Sequence, residues 1–280
     1  MRRWLSIVLL LVSVVLLFIS IYSLVGIYSE YRQADEMNGK LQKIHDTAVQ
    51  TEATARSAEP KVTSKPFETP APEETPATEP EQAAPDREVD AGLLALHEEN
   101  QDCIYWLSIP DTVIDYPVMY HPQEKDYYLR RDFYGDYSGS GTLYMDEDCD
   151  PEWGDNLIIY GHHMNNGTMF AALENYKSED FYKEHPQITL QTLHGEETYR
   201  VMAAFTTPVY TGNDFAYYNF TVTGDPTVYE AFVKECLSRS LYETGETAVY
   251  GRRLLTLFTC EYSQKNGRMV VVAVRVHNKA

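Results

Sequence analysis

The hydrophobic and polar positions divide the chain into three stretches, and the first predicts a membrane anchor. Trp4 to Tyr28 is a run of 25 residues without a charged side chain, and a helix needs about 20 apolar residues to cross a bilayer core. Arg2 and Arg3 precede the run, and positive charge stays on the cytoplasmic side. We therefore predict residues 1–3 in the cytoplasm, a transmembrane helix at 4–28 and the remaining chain outside the cell. A cleaved signal peptide is the alternative, although its apolar core spans only about 7–15 residues.

The second stretch, residues 29–90, is polar and predicts a spacer. Residues 29–50 are compatible with a short juxtamembrane helix, and from Thr51 to Asp90 the chain is rich in Ala, Thr, Glu and Pro. Seven of the 14 prolines lie between positions 60 and 85. Such a segment buries too little apolar surface to offset the entropy lost on ordering. We expect an extended tether that carries no chemistry of its own and holds the next domain away from the lipid.

The third stretch, residues 91–280, predicts one folded domain, and we expect a chain that begins at Ala91 to be a soluble, folded monomer. Many short β-type runs and few helices indicate a mainly β fold, a closed or nearly closed barrel. The predicted helices are Gly92–Asn100, Met169–Tyr176, Glu179–Glu184 and Pro226–Leu241. The predicted strands are Ile104–Ile109, Val113–Met119, Gly141–Met145, Leu157–Tyr160, Ile188–Leu193, Thr198–Phe205, Leu254–Thr259 and Met269–Val276.

Charge and cysteine content narrow the possible functions. The chain has 42 acidic and 23 basic residues and a net charge of −19, which argues against nucleic acid as a partner because phosphate contacts need clustered Lys and Arg. Four cysteines are too few for a disulfide scaffold. We expect Cys103, Cys149 and Cys236 to be buried thiols, with a bridge between two of them as the alternative. The usual metal-ligand spacings are absent from the sequence, so we expect no metal and no cofactor.

Four residues at predicted strand ends are candidates for chemistry. Cys260 ends a strand, and Arg268 follows eight residues later, immediately before the next strand. A histidine can pair with a cysteine to form a reactive thiolate, and His162 and His163 follow another predicted strand. An arginine beside the thiol could hold an oxyanion. From position alone, a small core cysteine, a solvated arginine and polar loop histidines are the alternatives.

The sequence around these candidates resembles the sortase family. The segment Thr256–Glu261 followed by Gly267 and Arg268 resembles the Thr-Leu-x-Thr-Cys … Arg signature of sortases. Further segments resemble class B sortases and occur in the same order, so that the resemblance covers about residues 95–277. These segments are Trp106–Val118, Asp126–Leu129, Gly141–Asp146, Tyr160–Met164 and Gly167–Phe170.

The resemblance implies a fold and an activity. The implied fold is a sortase-type barrel of about eight strands, with N-terminal helices and a long helix before the penultimate strand, for which Pro226–Leu241 is suitably placed. The implied activity is that of a membrane-bound cysteine transpeptidase of Gram-positive bacteria. Such an enzyme cleaves a sorting signal near the C-terminus of a secreted protein and joins the new carboxyl end to an amine on the cell wall or on a pilin subunit, without metal or cofactor.

The resemblance also assigns residues to roles. The family's nucleophile matches Cys260, its histidine matches His162 and its arginine matches Arg268. We expect substrate-binding residues at positions that include two departures from class B: Phe258, where a small Ser is frequent, and Lys125, where an Asn is common. The complete expected substrate-binding set is Lys125, Leu129, Phe258, Thr259 and Glu261.

Two other functions remain open at this point. An extracellular cysteine hydrolase would use Cys260 and His162 but release its product to water. A non-catalytic, membrane-tethered barrel that binds wall polymer or protein would need neither residue.

Overall fold

The computed structural model describes residues 2–58, 90–208, 215–261 and 266–276 and contains one closed β-barrel. The strand order around the barrel is β1-β2-β3-β4-β7-β8-β6-β5. The β2–β3 and β4–β7 pairs are parallel and the other pairs are antiparallel. The barrel confirms the fold class predicted from the sequence. Its strands are β1 Cys103–Ser108, β2 Asp115–Met119, β3 Leu143–Met145, β4 Asn156–Tyr160, β5 Gln187–Thr192, β6 Gly195–Pro208, β7 Leu254–Glu261 and β8 Gly267–Arg275.

The strands β7 and β8 read as continuous apolar runs because both of their faces are buried. Successive side chains of a strand point to opposite faces. Leu255 and Leu257 of β7 pack inside the barrel with Val271 of β8. Leu254 and Val270 belong to a second apolar cluster on the outer face. These two strands therefore lie at the centre of the domain, which fixes the positions of their ends.

The helices surround the barrel, and α4 covers the outer face of β7 and β8. Helix α4, Pro226–Arg239, begins after the cap residue Asp225, whose carboxylate accepts a hydrogen bond from the Thr227 amide at 2.8 Å. It buries Phe232 and Cys236 in the outer cluster and precedes the penultimate strand, as predicted. The other α-helices are α1 Arg2–Ala58, α2 Ala91–Glu99 and α3 Glu179–Glu184, and 3₁₀ turns occur at Tyr127–Arg130, Phe170–Lys177 and Tyr217–Asn219.

Helix α1 is longer than the sequence suggested. It continues through the predicted juxtamembrane segment and includes residues 51–58, which we assigned to the tether; Ala, Glu and Arg in this stretch favour helix. The remaining tether residues, 59–89, lie outside the described part of the chain. The most apolar 18-residue window of α1 has a mean hydropathy of 2.9 and is not buried, so α1 can cross a membrane by length and composition.

The C-terminal half of α1 packs against the barrel. Leu41 is only 1% exposed and lies in an apolar cluster with Leu93 of α2 and Trp106 of β1. The ring of His45 stacks on Trp106 with 4.2 Å between ring centroids, and the Gln42 side chain donates to the Asp115 carbonyl at 2.9 Å. A stretch that looked like part of a spacer therefore contributes to the hydrophobic core. The domain boundary at Ala91 stays a prediction.

Three of the four cysteines are buried free thiols. Cys103, Cys149 and Cys236 are 0%, 3% and 0% exposed, and burial raises the pKa of each. The pKa of Cys149 is raised to about 12. The finding confirms that these cysteines are buried thiols. They are held in the protonated, unreactive form.

We expect Leu41→Ala to destabilise the folded domain because it removes a buried side chain from the contact between α1 and the barrel. The loss should be about 2–4 kcal/mol in the free energy of unfolding, the usual cost of a Leu-to-Ala change in a core. Urea unfolding of a chain that begins at Ser29 measures it. Leu94→Ala is the matched control, since Leu94 is 42% exposed and its loss should cost less than about 0.5 kcal/mol. Equal effects of the two changes would contradict this packing role.

Candidate active site

Three strand ends bring the predicted catalytic residues together. Cys260 near the end of β7 lies directly opposite Arg268 at the start of β8 in the antiparallel ladder. On its other side β7 pairs with β4, where Phe258 is opposite Tyr160, and His162 follows β4 by two residues. The parallel β4–β7 pair and the antiparallel β7–β8 pair therefore place the cysteine, the histidine and the arginine at one edge of the barrel.

These residues line a cleft of about 380 Å³. Cys260, His162 and Arg268 all contribute to its surface. Four of the five expected substrate-binding residues line the same cleft; they are Lys125, Leu129, Phe258 and Thr259. The side chain of the fifth, Glu261, lies outside the described part of the structure.

The imidazole of His162 is held in one tautomer by the backbone. Its Nε2 lies 2.8 Å from the carbonyl oxygen of Leu129. A carbonyl oxygen only accepts hydrogen bonds, so Nε2 carries the proton and Nδ1 of the neutral ring keeps its lone pair. Burial lowers the pKa of His162 below its ordinary 6.5; the Leu129 hydrogen bond opposes this effect, and the charge of Arg130 adds to it. The ring is therefore neutral near pH 7 and presents Nδ1 as a base.

The second histidine has a different position. His163 Nδ1 lies 3.2 Å from the carbonyl oxygen of Cys260, so the ring donates a hydrogen bond to the backbone of the strand that carries the thiol. The same nitrogen is 3.8 Å from Glu174. His163 thus supports β7, a role that the sequence did not indicate because the partner is 97 residues away.

Arg268 is oriented by its own strand. Its Nη1 donates to the carbonyl oxygen of Gly267 at 2.9 Å, and the side chain is half-buried. Directly opposite residues of an antiparallel pair have Cα atoms about 4.5–5.5 Å apart. The Arg268 side chain therefore leaves the backbone close to Cys260. Among the described residues the Gly267 carbonyl is the one acceptor of an Arg268 side-chain hydrogen bond, which leaves other guanidinium hydrogens for a ligand in the cleft.

The floor of the cleft is aromatic. Phe258 and Cys260 are two residues apart on β7 and therefore share a face of the strand. The ring of Phe258 packs edge-on against Tyr160 at 4.3 Å and against Tyr217 at 5.2 Å between centroids. Tyr217 and its neighbours Tyr218 and Asn219 also line the cleft. These three residues lie in a 3₁₀ turn before α4 and were not predicted from the sequence, because no motif or strand end marks them.

One wall of the cleft is acidic. Asp126, Asp146 and Asp148 line it, and the Tyr160 hydroxyl donates a hydrogen bond to Asp146. Burial raises the pKa of Asp146, and the bond from Tyr160 opposes the rise. Lys125 lies at the same wall but pairs with Glu147 at 2.5 Å. The expected lysine is therefore partly neutralised, and the wall as a whole is negative.

Gly161, between β4 and His162, packs closely against the core. A Cβ at this position would lie 2.5 Å from Leu143 and 2.6 Å from Phe170, both of them buried core side chains. A larger residue would have to displace the core to fit. The glycine in the Tyr160–Met164 motif is thus required by close packing beneath the histidine.

Comparison with known proteins identifies the class. A model of the sortase domain family matches residues 107–276. Sortase B of Listeria monocytogenes is 34% identical over 188 residues, which cover 66% of this chain and 74% of the relative. Sortase B of Staphylococcus aureus is 31% identical over 182 residues, which cover 64% and 72% of the two chains. The chain belongs to the sortase family and is a cysteine transpeptidase.

Within that family the similarity is to class B. Both sequence relatives are sortase B proteins. A crystal structure of Bacillus anthracis sortase B in complex with AAEK1 superposes with a TM-score of 0.68 at 26% identity and covers 90% of this chain and 100% of its own. A Staphylococcus aureus sortase B–substrate complex has the same fold, with a TM-score of 0.68, 24% identity and coverage of 89% and 98%. The resemblance seen in the sequence is thereby confirmed.

The His162 ring should titrate below its ordinary pKa of 6.5 in the folded protein, because burial disfavours the imidazolium. NMR titration of the ring carbons measures the midpoint, and the same ring in urea is the reference. Since the unfolded chain then binds the proton more readily, this group contributes stability above pH 6.5 that is lost as the pH falls through its folded pKa. A folded midpoint at or above the urea value would contradict the described burial.

Proposed function

We propose that this transpeptidase cleaves a C-terminal sorting signal of secreted proteins and transfers the new carboxyl end to an amine on the cell wall or on a pilin subunit. The observation that carries the proposal is the cross-strand pair of Cys260 and Arg268 in one cleft with His162. Among the similar solved structures, one is a sortase B–substrate complex and another is sortase B complexed with triglycine. The proposed reaction needs two kinds of reactant: a peptide whose carbonyl group is attacked and a peptide that supplies a free amine.

In the first half of the reaction, Cys260 is the nucleophile. The thiol proton moves to Nδ1 of His162, and the thiolate attacks the carbonyl carbon of the scissile bond. Negative charge develops on the carbonyl oxygen, where Arg268 can donate hydrogen bonds. The C–N bond then breaks, and the imidazolium of His162 gives its proton to the leaving amine. The product is a thioester on Cys260 and a neutral histidine.

In the second half, an amine replaces the leaving group. Neutral His162 takes a proton from the incoming amine as the nitrogen attacks the thioester, and the proton returns to the Cys260 sulfur when the thiolate leaves. The energy of the first amide bond is kept in the thioester, so no nucleotide or metal enters the scheme. Water in place of the amine would give the hydrolase considered above.

The proposed location is the outer face of the cell membrane. Residues 4–28 of α1 form the single span, and Arg2 and Arg3 keep the N-terminus in the cytoplasm. This orientation places the barrel outside, where secreted substrates and wall amines occur. With a net charge of −19 the chain has no expected role with nucleic acid.

Loss of Cys260 and of Arg268 should have distinguishable effects. Cys260→Ala should abolish turnover and formation of the thioester. The Arg268→Ala protein should still react with a small thiol reagent, because Cys260 remains. Its rate of peptide cleavage should fall about 10²–10³-fold, the usual effect of removing an oxyanion donor. Arg268→Lys should rescue only in part, because an ammonium lacks the planar pair of donors.

The assay follows cleavage of a sorting peptide with and without a short amine acceptor, and mass spectrometry detects the thioester. Near-normal rates for Arg268→Ala, or an acyl adduct on the Cys260→Ala protein, would show that the roles are wrongly assigned.

The two histidines provide a matched pair of variants. His162→Ala should abolish peptide cleavage, whereas His163→Ala should keep substantial activity, because the Nδ1 atom of His163 is engaged with the backbone carbonyl of Cys260. Circular dichroism and thermal unfolding check that both variants fold. Equal loss of activity in two well-folded variants would count against His162 as the acid and base.

Addition of a nucleophilic amine separates the transpeptidase from a hydrolase. With a sorting peptide and triglycine, the main product should be the ligated peptide, and its share should rise with the concentration of triglycine. Product analysis by mass spectrometry gives the ratio. Hydrolysed peptide alone at saturating amine would favour the extracellular peptidase.

A further inference from the structure

A loop of the barrel lies against α1 just beyond the uncharged run. We call residues 131–140 the rim loop. Together with α1 it forms a recess lined by Glu30, Gln33 and Met37 on the helix and by Asp132 and Tyr137 on the loop, among others. The approach is close, since a Cβ placed on Gly139 would lie 2.9 Å from the carboxylate of Glu30. The rim loop and the start of the polar part of α1 are therefore at the same level.

The rise per residue of α1 gives the distance of this contact from the bilayer. Glu30 is two residues past Tyr28, where the uncharged run ends, which is about 3 Å along the helix axis. The hydrocarbon core takes up about 20 residues of a helix, and the headgroup region adds about 5–8 Å on each side. If α1 spans the membrane as proposed above, the rim loop lies at the level of the lipid headgroups.

The rim loop carries a side chain suited to that level. The side chain of Tyr137 is 70% exposed, so its ring can contact a surface that lies against the loop. Tyrosine is enriched where a bilayer meets water, because its ring is apolar and its hydroxyl is polar. We propose that the rim loop is a lipid-contacting surface, with Tyr137 inserted among the headgroups of the bilayer that α1 crosses.

The rim loop is also joined to the catalytic cleft. The amide of Ser138 donates to the carbonyl of Arg130 at 3.0 Å, and the preceding carbonyl, that of Leu129, accepts the hydrogen bond from His162. Leu129 lies two residues before the rim loop, in a 3₁₀ turn that rises only about 2 Å per residue, so the histidine side of the cleft is adjacent to this loop. The docked barrel would thus present its cleft to sorting signals that are still close to the membrane.

Photo-crosslinking from defined positions tests this surface. The full chain is placed in vesicles of phosphatidylcholine and phosphatidylglycerol that contain an alkyne-tagged lipid. Three separate variants carry p-benzoylphenylalanine in place of Tyr137, Trp153 or Tyr22. Trp153 is the surface control, since it is 80% exposed and precedes β4, at the opposite end of that strand from His162. Tyr22 lies in the uncharged run and reports on the anchor alone.

We expect lipid adducts at positions 22 and 137 and at least several-fold less adduct at 153. Cleavage of a soluble sorting peptide by each variant, at the rate of the unmodified chain, shows that the barrel is folded. Adducts at 22 with equal yields at 137 and 153 would overturn the lipid contact and leave the anchor intact. Absence of adduct at 22 would overturn the anchor, and the inference with it.

The exchange Tyr137→Ser gives a second measurement. It should leave cleavage of the soluble peptide unchanged, because the ring does not line the cleft. It should slow cleavage several-fold when the same sorting signal is attached to a transmembrane peptide in the vesicle. If the unmodified chain and Tyr137→Ser cleave the membrane-attached signal at equal rates, as they should the soluble peptide, this contact does not contribute to catalysis at the membrane.

Discussion

The register of β7 between β4 and β8 is the constraint on which the cleft depends. Side chains alternate along a strand, so a slip of one residue would turn Cys260 towards the core and bring Thr259 to its place. Two ladders prevent the slip, because Phe258 is fixed opposite Tyr160 on one side and Cys260 is fixed opposite Arg268 on the other. Apolar packing on both faces of β7 holds this register.

The cleft combines this rigid edge with walls that come from loops. The thiol and the arginine sit on paired strands, whereas Lys125 and Asp126 precede a short 3₁₀ turn and Tyr217 lies in another. Loops tolerate change more readily than paired strands. The fold thus keeps the reacting groups in place and leaves the surfaces that face the rest of a ligand free to differ between family members. The ring of Phe258 is the exception, because it lines the cleft from the rigid strand itself.

The sequence predicted the barrel better than the surroundings of the cleft. Alternating patterns and apolar runs located the eight strands of the barrel, because the burial of a strand's two faces depends on residues that are neighbours in the sequence. The packing of α1 was missed although its signal was present: Met37, Leu41 and Ile44 form an apolar stripe with helical spacing in a polar stretch, and all three join one cluster. The partners of Asp146 and His163 were not predictable, since they are set by long-range chain closure.

The two ends of the proline-rich segment both meet α1. The chain leaves the helix at Ala58 and comes back to Asp90, whose carboxylate lies 3.0 Å from His45 in the docked part of the same helix. Residues 59–89 therefore link two described positions on the same helix, its end at Ala58 and the point beside His45 to which Asp90 returns. Loop closure costs only about 0.6 kcal/mol for each doubling of length. Large insertions or deletions there would alter stability little and leave the height of the cleft unchanged, whereas a single inserted residue between Tyr28 and Met37 would rotate the barrel by about 100° around the anchor.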